Sequence, residues 1–294
     1  MTAQTARIGV QLMTVREQVE SLGLAPVLER LAGIGLANIE VSQVPLTAEN
    51  VAVFERARDE LGLGYAALSG TMEAGGGANP SLLEDYEHLR DTARRLGTER
   101  IRIGMLPLAA LRDEQALVQF CRDAEAMARR LADDGIRLSY HNHHLEFAHL
   151  GGREVLETIR TEAPAMWLEL DVHWVQRGGH DPVRTLQRFA GAVDLVHLKD
   201  FRVGLPAAEA FEALAAGDRS AVQQHLNQPV QFAEVGQGTL DWAAVVYAGI
   251  AAGAAHLLIE QDATYGRDPF ESLAMSREHL AGLGFGEMFS GPSR

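Results

Sequence analysis

The chain has 294 residues, of which 47% are hydrophobic and 22% charged, and its formal net charge is -14. This length suits one α/β barrel around a large core, and this composition excludes fibrous and wholly disordered classes. So acidic a surface repels phosphate backbones and anionic lipid, so neither nucleic acid nor membrane is expected as a partner.

Along the chain, Met1 to Arg7 lacks the basic and apolar regions of a secretory signal, and no apolar run nears the roughly 18 residues of a membrane span. Short runs rich in Ile, Val and Leu then alternate with longer segments of helical period. The runs read as strands are Ile8 to Leu12, Asn38 to Ser42, Leu63 to Leu68, Arg100 to Gly104, Ile136 to Asn142, Met166 to Asp171, Leu195 to Lys199 and His256 to Glu260. Between them, helices are predicted over Thr47 to Leu61, with Thr47 as N-cap, and over Asp113 to Asp134. Cys121 falls in the second of these; as the chain's one cysteine it cannot form an intrachain disulfide, which fits a reducing, cytoplasmic setting. Glycines at 33, 35, 62, 97, 135 and 253 mark stops before strands, and Asp181-Pro182 and Asp268-Pro269 each place an N-cap acid before a first-turn proline.

Eight strands alternating with helices predict a single-domain (β/α)8 TIM barrel spanning residues 1–294. A doubly wound sheet would carry a Gly-rich phosphate turn after the first strand, where this chain has Met13-Thr14-Val15-Arg16. The stretch from about 202 to 231, with a helical segment near Ala207 to Ala215, is too long for a plain turn and reads as an inserted lid or wall.

In such a barrel the C-terminal strand ends converge on one mouth. The fifth run ends Tyr140-His141-Asn142-His143-His144 with Glu146 beyond; the sixth ends Glu169-Leu170-Asp171-Val172-His173; the seventh reads Val196-His197-Leu198-Lys199-Asp200; the eighth ends Ile259-Glu260-Gln261-Asp262. One histidine at a strand end is ordinarily just hydrogen-bonded. Carboxylates and imidazoles at four consecutive ends form a mixed O/N donor set suited to Mn²⁺, Mg²⁺, Co²⁺ or Zn²⁺, and a Cys-rich zinc site is excluded.

These segments, with Val235-Gly236-Gln237-Gly238 and Asp241, resemble the xylose isomerase-like TIM barrels, which include sugar phosphate isomerases and epimerases, inosose dehydratase and endonuclease four. The resemblance covers nearly the whole chain. It implies one divalent metal, Mn²⁺ first among the candidates, held by Glu146, Asp171, His197 and Glu260. In the epimerase branch the first glutamate sits directly on strand five; here the acid comes later, and His141 or His143 can take its place. His173 would bind a substrate oxygen, with His141, His143, Trp174 and Lys199 completing the substrate-binding set. The chemistry implied is isomerisation or epimerisation of a monosaccharide, keto-sugar or inosose, with or without phosphate, through an enediolate, Glu146 and Glu260 serving as base and acid. An inosose-type dehydratase shares the first half of that mechanism, and an endonuclease four-like repair enzyme is the distant alternative. The partners implied are a small sugar or cyclitol and further copies of the chain, as a dimer or tetramer.

Other features have plainer readings. Glu40 is either part of the metal surroundings or a buried acid paired with Arg102. Gly75-Gly76-Gly77 lacks the Lys-Ser/Thr of a phosphate loop, and Gly236-Gln237-Gly238 lacks a third glycine and precedes Asp241, a helix-start acid. Phe147 and Trp242 read as packing, and Trp174 as a wall for a sugar ring. Arg16 is either a solvated charge or a partner for a substrate anion. His88, His149, His180, His225, His256 and His279 have no constellation around them.

Overall fold

The computed structural model describes residues 6–75, 77, 79–226 and 230–291, so Gly76 and the first five residues lie outside the described residues. Eight parallel strands close into a barrel: β1 (Arg7–Gln11), β2 (Asn38–Val41), β3 (Gly64–Gly70), β4 (Arg100–Ile103), β5 (Arg137–His141), β6 (Trp167–Asp171), β7 (Val193–Leu198) and β8 (His256–Ile259). Each pairs with its successor, and β8 pairs with β1 from Arg7↔His256 to Val10↔Ile259. The architecture is the expected single-domain (β/α)8 barrel.

Strand periodicity sorts the side chains into two environments. Ile39, Ile101, Ile103, Leu138, Tyr140, Leu168, Leu170, Val196, Leu198, Leu257 and Ile259 join the main core with the helix faces. The residues between them, Glu40, Arg102, Ser139, His141, Glu169, Asp171, His197 and Glu260, are also buried but lie on the other side of each strand, inside the barrel. A separate small cluster of Ala66, Ala67, Leu195 and Leu258 fills apolar space there. One face of each strand thus builds the fold, and the other carries the chemistry.

Two register shifts interrupt the ladders, between Ile39 and Glu40 opposite β3 and between Leu168 and Glu169 opposite β7. Both fall immediately before a buried glutamate. Bulges re-aim side chains next to functional sites, and here two acids meet inside the barrel.

The helices start where their caps predicted. Thr47 accepts from the Asn50 N–H, Asp113 from Ala116, Asp181 from Arg184 and Asp241 from Ala244. Cys121 is buried on Glu114–Asp133, where burial pushes its thiol up to about 12.

The long excursion after β7 is more structured than expected. Asp200–Val203 pairs antiparallel with Val230–Ala233, setting Phe201 opposite Phe232. The predicted helix appears as Ala208–Ala215, and a second, Arg219–Leu226, follows it. That second helix was not anticipated because its sequence, Arg-Ser-Ala-Val-Gln-Gln-His-Leu, carries little apolar period. Residues 227–229 lie outside the described residues.

Asp200 ties this excursion to the barrel. Its carboxylate accepts from the backbone N–H groups of Phe201, Gly236, Gly238 and Thr239 and from Trp242 Nε1. A Cβ at Gly238 would stand 2.1 Å from Asp200 Oδ1 and 2.3 Å from the Phe201 carbonyl oxygen, so only glycine fits there. Trp242 is the packing residue expected. So is Phe147, which lies over Gly178 and against His180.

Candidate metal centre

Four strand ends bring together His141, Asp171, His197 and Glu260, each able to offer one ligand atom within 4.8 Å of the others. All four are buried. Their local sequences explain how each is held. Asp171 ends β6 and caps the helix Val172–Arg177: Oδ1 accepts from the Trp174 N–H, and Oδ2 has no hydrogen-bond partner among the described residues. Asn142 Oδ1 accepts from the Asp171 N–H, which steadies the same turn. His141 Nδ1 lies 3.2 Å from the Gly104 carbonyl oxygen, so it carries the proton, and Nε2 presents a lone pair. That Nε2 stands 3.5 Å from Asp171 Oδ2 and is likewise unpartnered.

His197 is the centre of the arrangement. Its Nδ1 lies 2.6 Å from Glu260 Oε2 and 3.9 Å from Asp171 Oδ2. Its Nε2 lies 2.9 Å from Glu40 Oε2 and 3.1 Å from Glu169 Oε1. Burial works to discharge the imidazole, yet Glu169, Glu40 and Glu260 hold it protonated well above the ordinary histidine range. Carboxylates crowd this ring because the position calls for positive charge. A cation among His141 Nε2, Asp171 Oδ2, His197 Nδ1 and Glu260 Oε2 would satisfy the unpartnered atoms, so the residues present fit a divalent metal.

Glu40, Glu169 and His197 could also group around an ion, but Arg102 already occupies that space. Its Nε lies 2.8 Å from Glu40 Oε1 and 3.5 Å from Glu169 Oε2, and its Nη2 donates to Ser42 Oγ. Burial works to raise Glu40, but the charges of Arg102 and His197 outweigh it and hold the carboxyl at about 2. Glu169 goes the other way, up to about 7, through burial and the neighbouring Glu40 charge. Two carboxylates so close divide one proton between them. Glu40 is therefore the buried partner of Arg102 that the sequence allowed, and it also contacts the His197 ring.

Glu146 is not brought into the four. Tyr140 Oη donates to one carboxylate oxygen and the His143 N–H to the other, at 2.9 Å. Tyr140 packs against Phe120 on the outer side of β5, and it draws the glutamate toward that side, away from the barrel interior. His141, named from the sequence as a substitute, stands where Glu146 was expected, so two imidazoles and two carboxylates meet.

Of the expected substrate-binding residues, His141, His143 and Lys199 line a cavity of about 540 Å³ at the mouth, together with Glu260, Asp262, Arg16 and Gln43. His143 Nδ1 is unpartnered among the described residues, and burial pushes this ring down to about 3, so it is neutral. Lys199, the chain's one lysine, is buried with Nζ 2.7 Å from Asp262 Oδ1, 3.4 Å from Glu260 Oε2 and 3.7 Å from Asp171 Oδ2. Burial opposes its charge, but Glu260, Asp171 and Asp262 raise it, and the ammonium persists. His173 and Trp174 sit apart, roofed by the hairpin: the His173 ring centroid lies 5.0 Å from Phe201, 5.1 Å from Phe232 and 4.7 Å from Trp174. Both His173 nitrogens lack partners among the described residues, and burial lowers the ring to about 4.

A family model described as the xylose isomerase-like TIM barrel matches residues 28–275. The chain belongs to that family. Among solved structures it resembles other barrels along almost its whole length. A sugar phosphate isomerase/epimerase from Parabacteroides distasonis superposes with a TM-score of 0.69 at 16% identity, covering 99% of this chain and 97% of that one. An L-ribulose 3-epimerase gives 0.65 at 15% identity over 96% of both chains. The probable 3-DHS dehydratase of petrobactin synthesis from Bacillus anthracis gives 0.64 at 14% identity, over 94% of this chain and 99% of that one. At these identities the likeness shows the fold. No curated protein sequence matches the chain.

Within this xylose isomerase-like barrel, three participants carried no role from the sequence. Glu169 was legible as the residue two before Asp171 on the same face of β6. Gly104 contributes through its backbone carbonyl, which no side-chain pattern reveals. Asp262 was visible next to Glu260, but its pairing with Lys199 depends on how the chain turns after β8.

Proposed function

We propose that this chain is a divalent-metal-dependent isomerase or epimerase acting through an enediolate on a monosaccharide, keto-sugar or inosose. The observation that carries the reading is the meeting of His141, Asp171, His197 and Glu260 beside a 540 Å³ cavity, a volume suited to a single sugar ring. The ion we assign is Mn²⁺, with Co²⁺, Zn²⁺ or Mg²⁺ as the other candidates; two imidazoles in the donor set favour the first three over Mg²⁺. Such an ion polarises a carbonyl and the adjacent hydroxyl, which acidifies the C–H between them.

The chain's own groups do the rest. His141 is oriented by the Gly104 carbonyl and His197 by Glu40 and Glu169, so the donors need little rearrangement. Lys199, kept charged by its three carboxylates, offers hydrogen bonds to a substrate oxygen on which negative charge develops. His143 Nδ1 offers a neutral acceptor to a hydroxyl. Proton movement at carbon falls to carboxylates facing the cavity, Glu260 with Asp262, in place of the Glu146 expected from the sequence. Return of the proton to the neighbouring carbon isomerises; return to the opposite face epimerises. Trp174, with Phe232 6.3 Å from it, forms an aromatic wall beside His173.

A second reading is a dehydratase, favoured by the Lys199 ammonium at the cavity, which can protonate a departing β-hydroxyl so that it leaves as water. Cleavage of DNA fits less well, because a chain with a formal net charge of -14 repels a phosphate backbone. No described helix is long and apolar enough to cross a membrane, in keeping with a cytoplasmic enzyme, and self-association as a dimer or tetramer completes the reading.

The test is a panel of ketoses, inososes and their phosphates incubated with Mn²⁺-loaded protein in deuterated water and followed by NMR. Deuterium entering the carbon next to a carbonyl, and absent with Glu260→Gln, is the expected result. A mass loss of one water would select the dehydratase. If no compound exchanges, or if Glu260→Gln exchanges at the wild-type rate, the reading falls.

A further inference from the structure

Three cations line the cavity: Arg102, Lys199 and Arg16. Arg102 is taken up by Glu40, Glu169 and Ser42. Lys199 is taken up by Asp262, Glu260 and Asp171. Arg16 is different: its guanidinium has no hydrogen bond, ion pair or aromatic partner among the described residues. In a chain carrying 40 acidic side chains against 26 basic ones, an arginine that faces a cavity and finds no carboxylate has been left for something else. Arginine's planar fork of N–H donors matches a carboxylate or phosphate in two parallel bonds.

Its position adds a second line of argument. The four candidate metal donors come from the ends of β5, β6, β7 and β8. Arg16 follows β1, and the lining of the same cavity includes Gln43 after β2 and Asn79 after β3. Arg16 thus lies outside the set of strand ends that would hold the ion, on a cavity that both line.

Gln43 is itself unusual. Its φ is 55°, a left-handed conformation that a non-glycine residue adopts at a cost, and its N–H is held by Asn79 Oδ1 at 2.9 Å. The Gln43 side chain, whose amide has no hydrogen-bond partner among the described residues, lines the same cavity as Arg16. An unpaired guanidinium and an unpaired carboxamide together can hold the oxygens of one anionic group.

We propose that Arg16, assisted by Gln43, is an anion-binding specificity element, and that the substrate is a hydroxylated carbonyl compound carrying a carboxylate or phosphate at the end remote from the metal. The substrate class rests on the function proposed above. The binding role of Arg16 does not, and the experiment separates them. An extended substrate would be fixed at both ends, one by the ion and the other by Arg16, which places the reacting carbons between.

Three probes that share a polyol chain distinguish the anion: sorbitol, D-gluconate and sorbitol 6-phosphate. Each is titrated calorimetrically into Mn²⁺-loaded wild type, Arg16→Gln and Arg16→Lys, after circular dichroism and metal analysis have shown that the variants fold and load alike. At least one anionic probe is expected to bind wild type tenfold or more tightly than sorbitol. Arg16→Gln should lose that advantage without changing sorbitol affinity, and Arg16→Lys should keep part of it. Which probe gains more identifies carboxylate or phosphate as the anion. Equal affinity for all three probes overturns the inference. So does an anionic advantage that survives in Arg16→Gln, since that would mean a carboxylate or phosphate bound at the metal. Metal-free protein titrated with inorganic phosphate, wild type against Arg16→Gln, gives the same comparison with no ion present. Failure to take up Mn²⁺ would sink the function proposed above, while this ratio would still judge Arg16.

Discussion

Glu40 Oε2 reaches across the barrel interior from β2 to stand 2.9 Å from Nε2 of His197 on β7. The contact would keep a proton on Nε2 when an ion displaces the one on Nδ1, the nitrogen facing Asp171 and Glu260. Glu40→Gln keeps the shape and removes the charge. Loss of such an outer carboxylate typically weakens metal binding by about 10–100-fold. We expect a fall of that size, read by competition against a fluorescent chelator. An unchanged affinity would show that Glu40 serves Arg102 alone.

The donor set can be read directly. Asp171→Asn preserves the cap on the helix Val172–Arg177, since asparagine also accepts from the Trp174 N–H, but it replaces the charged Oδ2. Metal stoichiometry after dialysis should collapse in this variant and in His141→Ala. Glu146→Gln, whose carboxylate is held by Tyr140 and His143, should retain the full complement. Loss of metal in Glu146→Gln with retention in His141→Ala would restore the ligand set first read from the sequence.

Gly238→Ala forces a methyl group into Asp200 and the Phe201 carbonyl, so the excursion must detach or its loop must shift. The cost should be about 2–3 kcal/mol, in the range for backbone-constrained positions, and the Tm should drop by roughly 5 °C. Because Phe201 and Phe232 roof His173 and Trp174, intrinsic tryptophan emission should also move to longer wavelength. A variant with wild-type Tm and emission would show that Asp200 does not anchor the hairpin.

His256 at the start of β8 gives a pH effect outside the candidate metal centre. Burial, with help from Arg100 and Arg7, lowers this ring to about 3, so the folded state resists a proton that the unfolded chain accepts near 6.5. The folded state therefore loses stability as the pH falls from 6.5 toward 3, by at most about 1.4 kcal/mol per pH unit. Denaturant melts of His256→Leu and wild type should diverge in this window, the variant declining less. Parallel curves between pH 7 and 4 would remove His256 from the acid response.

The barrel was legible because its signals are local. Each strand is a short Ile/Val/Leu run, each helix has its cap, and strands predicted over Leu63 to Leu68 and Leu195 to Lys199 appear as Gly64–Gly70 and Val193–Leu198. Asp171, His197 and Glu260 were placed together for the same reason, as they occupy or adjoin the C-terminal ends of their strands. Glu146 was misplaced because its direction depends on a turn after His143 and on Tyr140, an outward-facing neighbour that strand logic does not reveal. The pairing of Phe201 with Phe232 joins residues across two helices, and no local pattern marks it.

Asp171 spends one oxygen on the first turn of Val172–Arg177 and turns the other toward the candidate metal position. An ion held there and the order of that helix would thus share a single carboxylate, and by linkage whatever tightened one would tighten the other equally. Stripping the ion would loosen the segment bearing His173 and Trp174, and a ligand resting on that segment would in turn retain the ion. A site of this kind assembles its wall and its charge in one cooperative step.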